Sequence, residues 1–531
     1  MASPRTLLAP ALVTVALFAG SAVPTTAALL VGSAAPAAAA TGTTGFRTVD
    51  ITAADGVVLE ANVIEPATVG LHPAVVFVNS WGLNDAEYLA QASALAQGGY
   101  TVLSYTTRGF WGSGGRIDTA GPKDIADVST VLDWVTTHTS ADPARLGLAG
   151  ISYGAGISLI AAGHDARVKA VVAMSGWTDL VASLYGGDTR RPQAVWLLAA
   201  LAELTGRPSA ELTQVVSDYF ADTDIDEVKA FGRIRSASTY LDSINANHPA
   251  ILMANAYGDS LFPPNQLVDF FNRLTGPKRL EFAPGDHAVV ESTGLVGLPN
   301  HVWTSTRRWL DQYLSGIDTG IASEPPVVLR VRETGAVEQY PTWASVNTGV
   351  TRYGLGAARW WDGTGPMTAG STPTGWSQTI WCGTDTTADA GVTLLSNGLE
   401  ALTGVPPAVW LPSVNRINGA VWTSEPLPYG TRVRGIPVVH LSVQPATGTL
   451  VSYLYDVDAT LTGHLIAQAP VTWTGSPGSV TVPLPATAYD VPAGHRLALV
   501  VDTQDPQYLD ANTWGAALTM TATSWLDLPV R

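Results

Sequence analysis

A chain of 531 residues is too long for one ordinary domain, and 46% hydrophobic with only 14% charged residues excludes a disordered protein. The net charge of −16, with no basic run, argues against nucleic acid or an anionic membrane as partner. One cysteine, Cys382, excludes an intramolecular disulfide and reads as a buried small hydrophobe, and no cluster has metal-ligand spacing, so neither metal nor cofactor is expected.

Residues 1–40 have the pattern of a signal peptide. Arg5 precedes an apolar run from Leu7 to Ala19, and small residues at 35–40 offer cleavage sites before Thr41. The expectation is a secreted protein without stable membrane insertion, since Pro10, Pro24 and the many small residues disfavour a span. Residues 46–52 and 57–64 then read as an antiparallel strand pair about a turn at Asp55-Gly56. The short apolar runs 73–78 and 100–105 read as strands buried on both faces, with helices over 86–96 and 124–138.

Residues 145–156 carry the strongest motif. An apolar strand runs into Gly150-Ile151-Ser152-Tyr153-Gly154, and small residues lead into a helix. G-x-S-x-G between strand and helix is the nucleophile elbow of α/β-hydrolases. The serine occupies a strained turn that only glycines at 150 and 154 leave room for. The Tyr153 N–H, at a helix start, would face a developing oxyanion.

A further strand over 168–174 makes the alternation that of a mostly parallel sheet covered by helices. Residues 177–247 break it with helical segments at 193–204 and 209–220, expected as a lid over the strand ends. Asp222, Asp224, Asp226 and Glu227 in this insertion read as a solvated helix start, the alternative being a receptor for a substrate amine. The sheet resumes at 250–256, a helix follows from 264 to 274, and 279–282 is the last strand before a closing helix over 303–314. From about 324, short alternating runs beginning at Val327–Val331 replace helical periodicity. The expected organisation is α/β plus all-β: a catalytic α/β-hydrolase domain over 45–323 and a jelly-roll β-sandwich over 324–531. The sandwich is expected to close one side of the pocket, or to bind carbohydrate.

A serine nucleophile needs a base oriented by a carboxylate, in the chain order Ser, acid, His. Asp259 follows the next-to-last strand and His287 the last, both on the edge that holds Ser152. Asp286 competes as the acid, but as the chain neighbour of His287 it is poorly placed to reach the far ring nitrogen. The second oxyanion donor is expected as a backbone N–H near Trp81, in the loop 79–84, with the Trp81 side chain as a pocket wall.

Taken with Thr107–Gly114, Gly258-Asp259, Gly285–His287, and Ser424–Leu427, Arg434–Val439, Tyr455–Val457 and Gly494–Leu497 in the β-region, the elbow resembles the Xaa-Pro dipeptidyl-peptidase and cocaine-esterase type serine hydrolases. The resemblance covers nearly all of 45–531. It implies an α/β-hydrolase with helical lid and jelly roll, a triad of Ser152, Asp259 and His287, and Tyr153 N–H as one oxyanion donor. Members commonly carry a tyrosine hydroxyl as the second donor. Trp81 stands in that region here, and its indole N–H differs in length and direction.

The reading is a secreted serine hydrolase acting on a small-molecule ester or amide or a short peptide, foremost an acyl esterase. A dipeptidyl- or aminopeptidase would need a lid carboxylate for the substrate amine. An acyltransferase would use the same triad, and a non-catalytic binding protein would tolerate loss of Ser152. Oligomeric state stays open.

Overall fold

Two β-rich layers are laid down in chain order, and the first presents the elbow. The protein is seen here in a computed structural model that describes residues 45–475 and 478–531; the signal-peptide reading over 1–40 lies outside them. The first layer contains β1 (Gly45–Thr52), β2 (Val58–Glu65), β3 (His72–Val78), β4 (Thr101–Tyr105), β5 (Ala141–Ile151), β6 (Val168–Met174), β7 (Ala250–Ala256), β8 (Lys278–Ala283), β9 (Val327–Arg330) and β10 (Val337–Tyr340). They form one sheet in the order β1-β2-β4-β3-β5-β6-β7-β8-β9-β10. Pairing is antiparallel for β1 with β2, β2 with β4, and β9 with β10, and parallel from β4 through β9.

The apolar runs explain why both faces are covered. In β3 every residue is buried. Val76 and Val78 join the core on one face, and Val75 and Phe77 the core on the other, following the two-residue period of a strand. The covering helices include α1 (Leu89–Gln97), α2 (Pro122–His138) and α3 (Tyr153–His164). α3 buries ten successive residues from Tyr153 to Ala162, which accounts for its small, uniformly apolar sequence. α1 starts at Leu89, three residues later than the spacing suggested.

Between β6 and β7 the chain makes α4 (Leu180–Leu184), α5 (Pro192–Thr205), α6 (Ala210–Ala221), α7 (Ile225–Arg233) and α8 (Leu241–Asn247). The sequence placed Val327–Val331 in the β-domain, but β9 pairs in parallel with β8 and extends the first sheet. The reason is edge protection: without β9 the backbone of β8 would present unpaired groups beside Leu280 and Phe282. The change of sheet therefore falls after Tyr340.

The remaining strands form a second, 13-stranded sheet folded into a sandwich. Its core includes Trp422, Leu441, Leu454, Leu499 and Leu526, and Cys382 is buried in it. The strand Ala517–Val530 pairs with four others of this sheet. The architecture is an α/β-hydrolase followed by an all-β domain. Among the described residues no helix is long and apolar enough to cross a membrane.

Candidate active site

β5 ends at Ile151, α3 begins at Tyr153, and Ser152 between them has φ 55° and ψ −113°. A side chain at positive φ stores strain, so the surroundings must hold it there. They do so by close approach. A Cβ on Gly150 would lie 2.8 Å from the Gly154 Cα, and one on Gly154 would lie 2.0 Å from the Val78 carbonyl oxygen. The Ser152 N–H donates to the Met174 carbonyl at 2.8 Å. The buried Tyr153 hydroxyl donates to Asp124 at 2.6 Å and accepts from the Ala120 N–H at 2.9 Å, anchoring the start of α3.

The structure brings Ser152, His287 and Asp259 into one hydrogen-bonded line. His287 Nε2 lies 2.8 Å from Ser152 Oγ, and its Nδ1 lies 3.0 Å from an Asp259 carboxylate oxygen. The other Asp259 oxygen accepts from the N–H groups of Leu261 and Phe262 at 3.0 and 2.7 Å. Asp286 is buried but does not reach the ring. One of its oxygens accepts from the Ser260 N–H and hydroxyl and from the His287 N–H, so it ties the two loops together. Its other oxygen is buried without a protein partner among the described residues. Burial first, and then the charge of Asp259, push Asp286 up to about 6. For His287, burial works against the imidazolium, but the charges of Asp259 and Asp286 outweigh it and the pKa is raised.

Two supporting pairs had no signal in the sequence: Ser175 and Glu291 lie 116 positions apart, and Ser80 and Glu87 meet within one loop whose path the sequence does not fix. The Ser175 hydroxyl donates to the buried Glu291 at 2.8 Å and accepts from the Ala288 N–H at 3.2 Å, beneath the His287 loop. Ser80 places both its N–H and its hydroxyl on Glu87, at 2.7 and 2.6 Å, and the hydroxyl lies 3.1 Å from the Ile151 carbonyl. That fixes the loop preceding Trp81 against the end of the nucleophile strand.

The Trp81 indole is engaged elsewhere. Its indole N–H donates to the Leu198 carbonyl in α5 at 2.8 Å and is not free for an oxyanion. The main-chain N–H groups of Trp81 and Tyr153 have no protein acceptor among the described residues. The Trp81 ring is a wall of the cavity above Ser152.

That cavity has a volume of about 190 Å³ and is walled chiefly by apolar side chains, including Trp177, Leu198, Leu212 and Phe231. Two charged residues border it. Glu203 is exposed, and Lys229 is paired with Asp188 at 2.8 Å. Asp222, Asp224, Asp226 and Glu227 are exposed and do not line it. The β-domain does not line it either, against the expectation that it would close one side. It braces the site from behind. Asn397 donates to the Gly258 carbonyl at 2.9 Å, the Leu394 N–H donates to the Ser260 hydroxyl at 3.0 Å, and Gln193 in α5 donates to the Pro506 carbonyl at 3.0 Å. Among the described residues no group of His, Cys, Asp and Glu is arranged to hold a metal ion.

Comparison with known proteins gives the same two-part division. The family model for X-Pro dipeptidyl-peptidase (S15 family) matches residues 55–289, and that for the X-Pro dipeptidyl-peptidase C-terminal non-catalytic domain matches residues 319–525. A solved α-amino acid ester hydrolase superposes with a TM-score of 0.70 at 16% identity, covering 94% of this chain and 98% of its own. A CocE/NonD family hydrolase from Staphylococcus aureus superposes with a TM-score of 0.68 at 12% identity, covering 92% and 94%. The acyltransferase drtE of Aspergillus calidoustus is 24% identical over 270 residues, 45% of this chain and 86% of its own. The structural likenesses extend across both domains, and the two family models together account for most of the described chain: it is a serine hydrolase that pairs a domain matching the S15 family with that family's C-terminal domain.

Proposed function

We propose that the chain is an exported serine hydrolase that cleaves esters of apolar acyl groups through an acyl-enzyme. The observation that carries this reading is the Ser152–His287–Asp259 line opening into an apolar cavity of about 190 Å³. A peptidase that grips a free amine would have to desolvate an ammonium group in that cavity. Without a buried carboxylate to pair with, this costs several kcal/mol; Asp222, Asp224, Asp226 and Glu227 are exposed and away from the cavity, and Glu203 at its border is exposed. Export rests on the signal pattern over residues 1–40.

In this reading His287 Nε2 takes the Ser152 proton as Oγ bonds to the ester carbonyl carbon. The oxyanion is held by the main-chain N–H groups of Tyr153 and Trp81. The imidazolium, stabilised by Asp259, returns the proton to the leaving alkoxide as the C–O bond breaks. Water, deprotonated by the same nitrogen, then attacks the acyl-enzyme and the acid leaves. Only the neutral ring can start the cycle. Activity is therefore expected to fall as pH drops through the raised His287 pKa, with the acid limb of kcat/KM above the ordinary imidazole value of about 6.5. A pH–rate profile checks this, and Asp286→Asn should move the limb down by removing one of the charges that support the imidazolium.

The test of substrate class is a panel of p-nitrophenyl esters of increasing acyl length beside Ala-Pro-p-nitroanilide. The esters are expected to turn over and the anilide to be a poor substrate. Preference for the anilide would replace this reading with a peptidase. The likeness to the acyltransferase drtE raises a second reading, transfer of the acyl group to an alcohol. Added acceptor alcohol diverting the acyl group from acid to ester product would select it.

A further inference from the structure

Trp81 joins three parts of the site. Its indole N–H bonds to the Leu198 carbonyl in the middle of α5. Its ring meets Tyr153 edge-on at 5.0 Å and 88°, and Phe110 at 5.1 Å and 74°. Its main chain follows Ser80, whose hydroxyl is at the Ile151 carbonyl, one residue before the nucleophile. The next residue is held as well. The Trp111 indole donates to the Gly82 carbonyl at 2.9 Å, and a Cβ on Gly82 would come within 3.3 Å of Thr205 in α5. The Trp111 N–H in turn donates to the Thr205 carbonyl at 2.8 Å. Residues 80–83 are thus clamped between the nucleophile strand and α5.

The bond to Leu198 is not needed to build the helix. A mid-helix carbonyl already serves the N–H four residues on, and its second lone pair is what the indole uses. The bond reports whether α5 is seated.

We propose that Trp81 is a positioning residue through which α5 sets the second oxyanion donor: the indole–Leu198 bond holds residues 80–83 so that the Trp81 main-chain N–H converges with that of Tyr153 only while α5 sits over the nucleophile. This rests on the acyl-enzyme reading above. It has a consequence for substrates. Val195, Leu198 and Ala202 of α5 face the cavity. An acyl group that fills the cavity presses on the same helix that Trp81 reads, so its binding energy is spent on completing the oxyanion site. Longer apolar acyl groups then raise kcat and do not merely lower KM.

The experiment compares wild type with Trp81→Phe, which keeps a ring against Tyr153 and removes the N–H, on p-nitrophenyl acetate and hexanoate. Wild-type kcat is expected to be higher for hexanoate. In Trp81→Phe, kcat for hexanoate should fall by roughly 10- to 100-fold, less than the loss of a whole oxyanion donor, with KM changed by less than about threefold and the advantage over acetate gone. Hydrogen exchange over residues 192–205 supplies a second readout. Phosphonylation of Ser152 with a fluorophosphonate should slow exchange there in wild type and not in Trp81→Phe. Should Trp81→Phe fail to fold, Trp111→Phe, which releases the other indole bond from a half-exposed position, should show the same split in smaller degree. Unchanged hexanoate kcat in the folded variant, or slowed exchange in both proteins, overturns the proposal. A wild type that does not react with the fluorophosphonate would instead overturn the acyl-enzyme reading itself.

Discussion

Ser152→Ala is expected to lower kcat for ester hydrolysis by roughly 10⁴-fold or more, because triad members act as a unit and the residue left is oxyanion and binding catalysis alone. The substitution removes only Oγ, whose one hydrogen bond among the described residues is the 2.8 Å contact with His287 Nε2. The backbone strain at φ 55° is unaltered, since alanine meets the same hindrance as serine there. The two glycines that make room for the turn remain. The variant should therefore fold and melt near the wild-type temperature, bind substrate with similar affinity and fail to label with a fluorophosphonate. Labelling of Ser152→Ala at the wild-type rate would mean that another residue is the nucleophile. A variant that neither labels nor loses its biological effect would point to a binding protein.

Asp259→Asn should be nearly as damaging, with a loss of about 10⁴-fold, and the reason lies in proton placement. One Asp259 oxygen is held by the N–H groups of Leu261 and Phe262. An asparagine can satisfy those donors only with its own oxygen, which turns its NH₂ toward His287 Nδ1. The ring must then accept at Nδ1 and carry its proton on Nε2, where it can no longer take one from Ser152. Asp286→Asn is the control. Its oxygen can keep accepting from Ser260 and His287, while its NH₂ falls where the aspartate has an unpartnered oxygen, so the tautomer is untouched and the loss is expected to be far smaller. Equal losses for the two variants would remove the distinction between the carboxylates. The measurement is kcat/KM at a pH well above the acid limb, with melting temperatures alongside.

The elements and residues that could be read from the chain are those whose physics is local. The elbow needs glycines two residues either side of Ser152, because the clash each would cause is with a neighbouring turn or strand. β3 and β4 announce themselves as apolar runs because both faces of the sheet are covered. Asp259 and His287 stand out because each follows a strand in an order set by the direction of the parallel sheet. Where the deciding contact lies far along the chain, the same reasoning stops. Val327–Arg330 alternates as a strand of either layer would, and only pairing with β8 assigns it to the first. The bond from the Trp81 indole to Leu198 spans 117 positions, and no residue near Trp81 hints that its N–H is taken. The helix Ser396–Thr403, whose Asn397 braces the Asp259 loop, interrupts a region with no helical periodicity of its own.

By itself, then, the sequence determined the two-part architecture, the nucleophile turn and the candidate acid and base, since turn sterics, strand period and loop order act over a few residues. The tertiary structure alone decided which sheet takes β9, the supports under the His287 loop, the apolar character of the cavity and the commitment of Trp81 to α5. Each depends on which distant side chains become neighbours when the apolar faces are buried, and no local pattern encodes a hydrogen bond across more than a hundred residues.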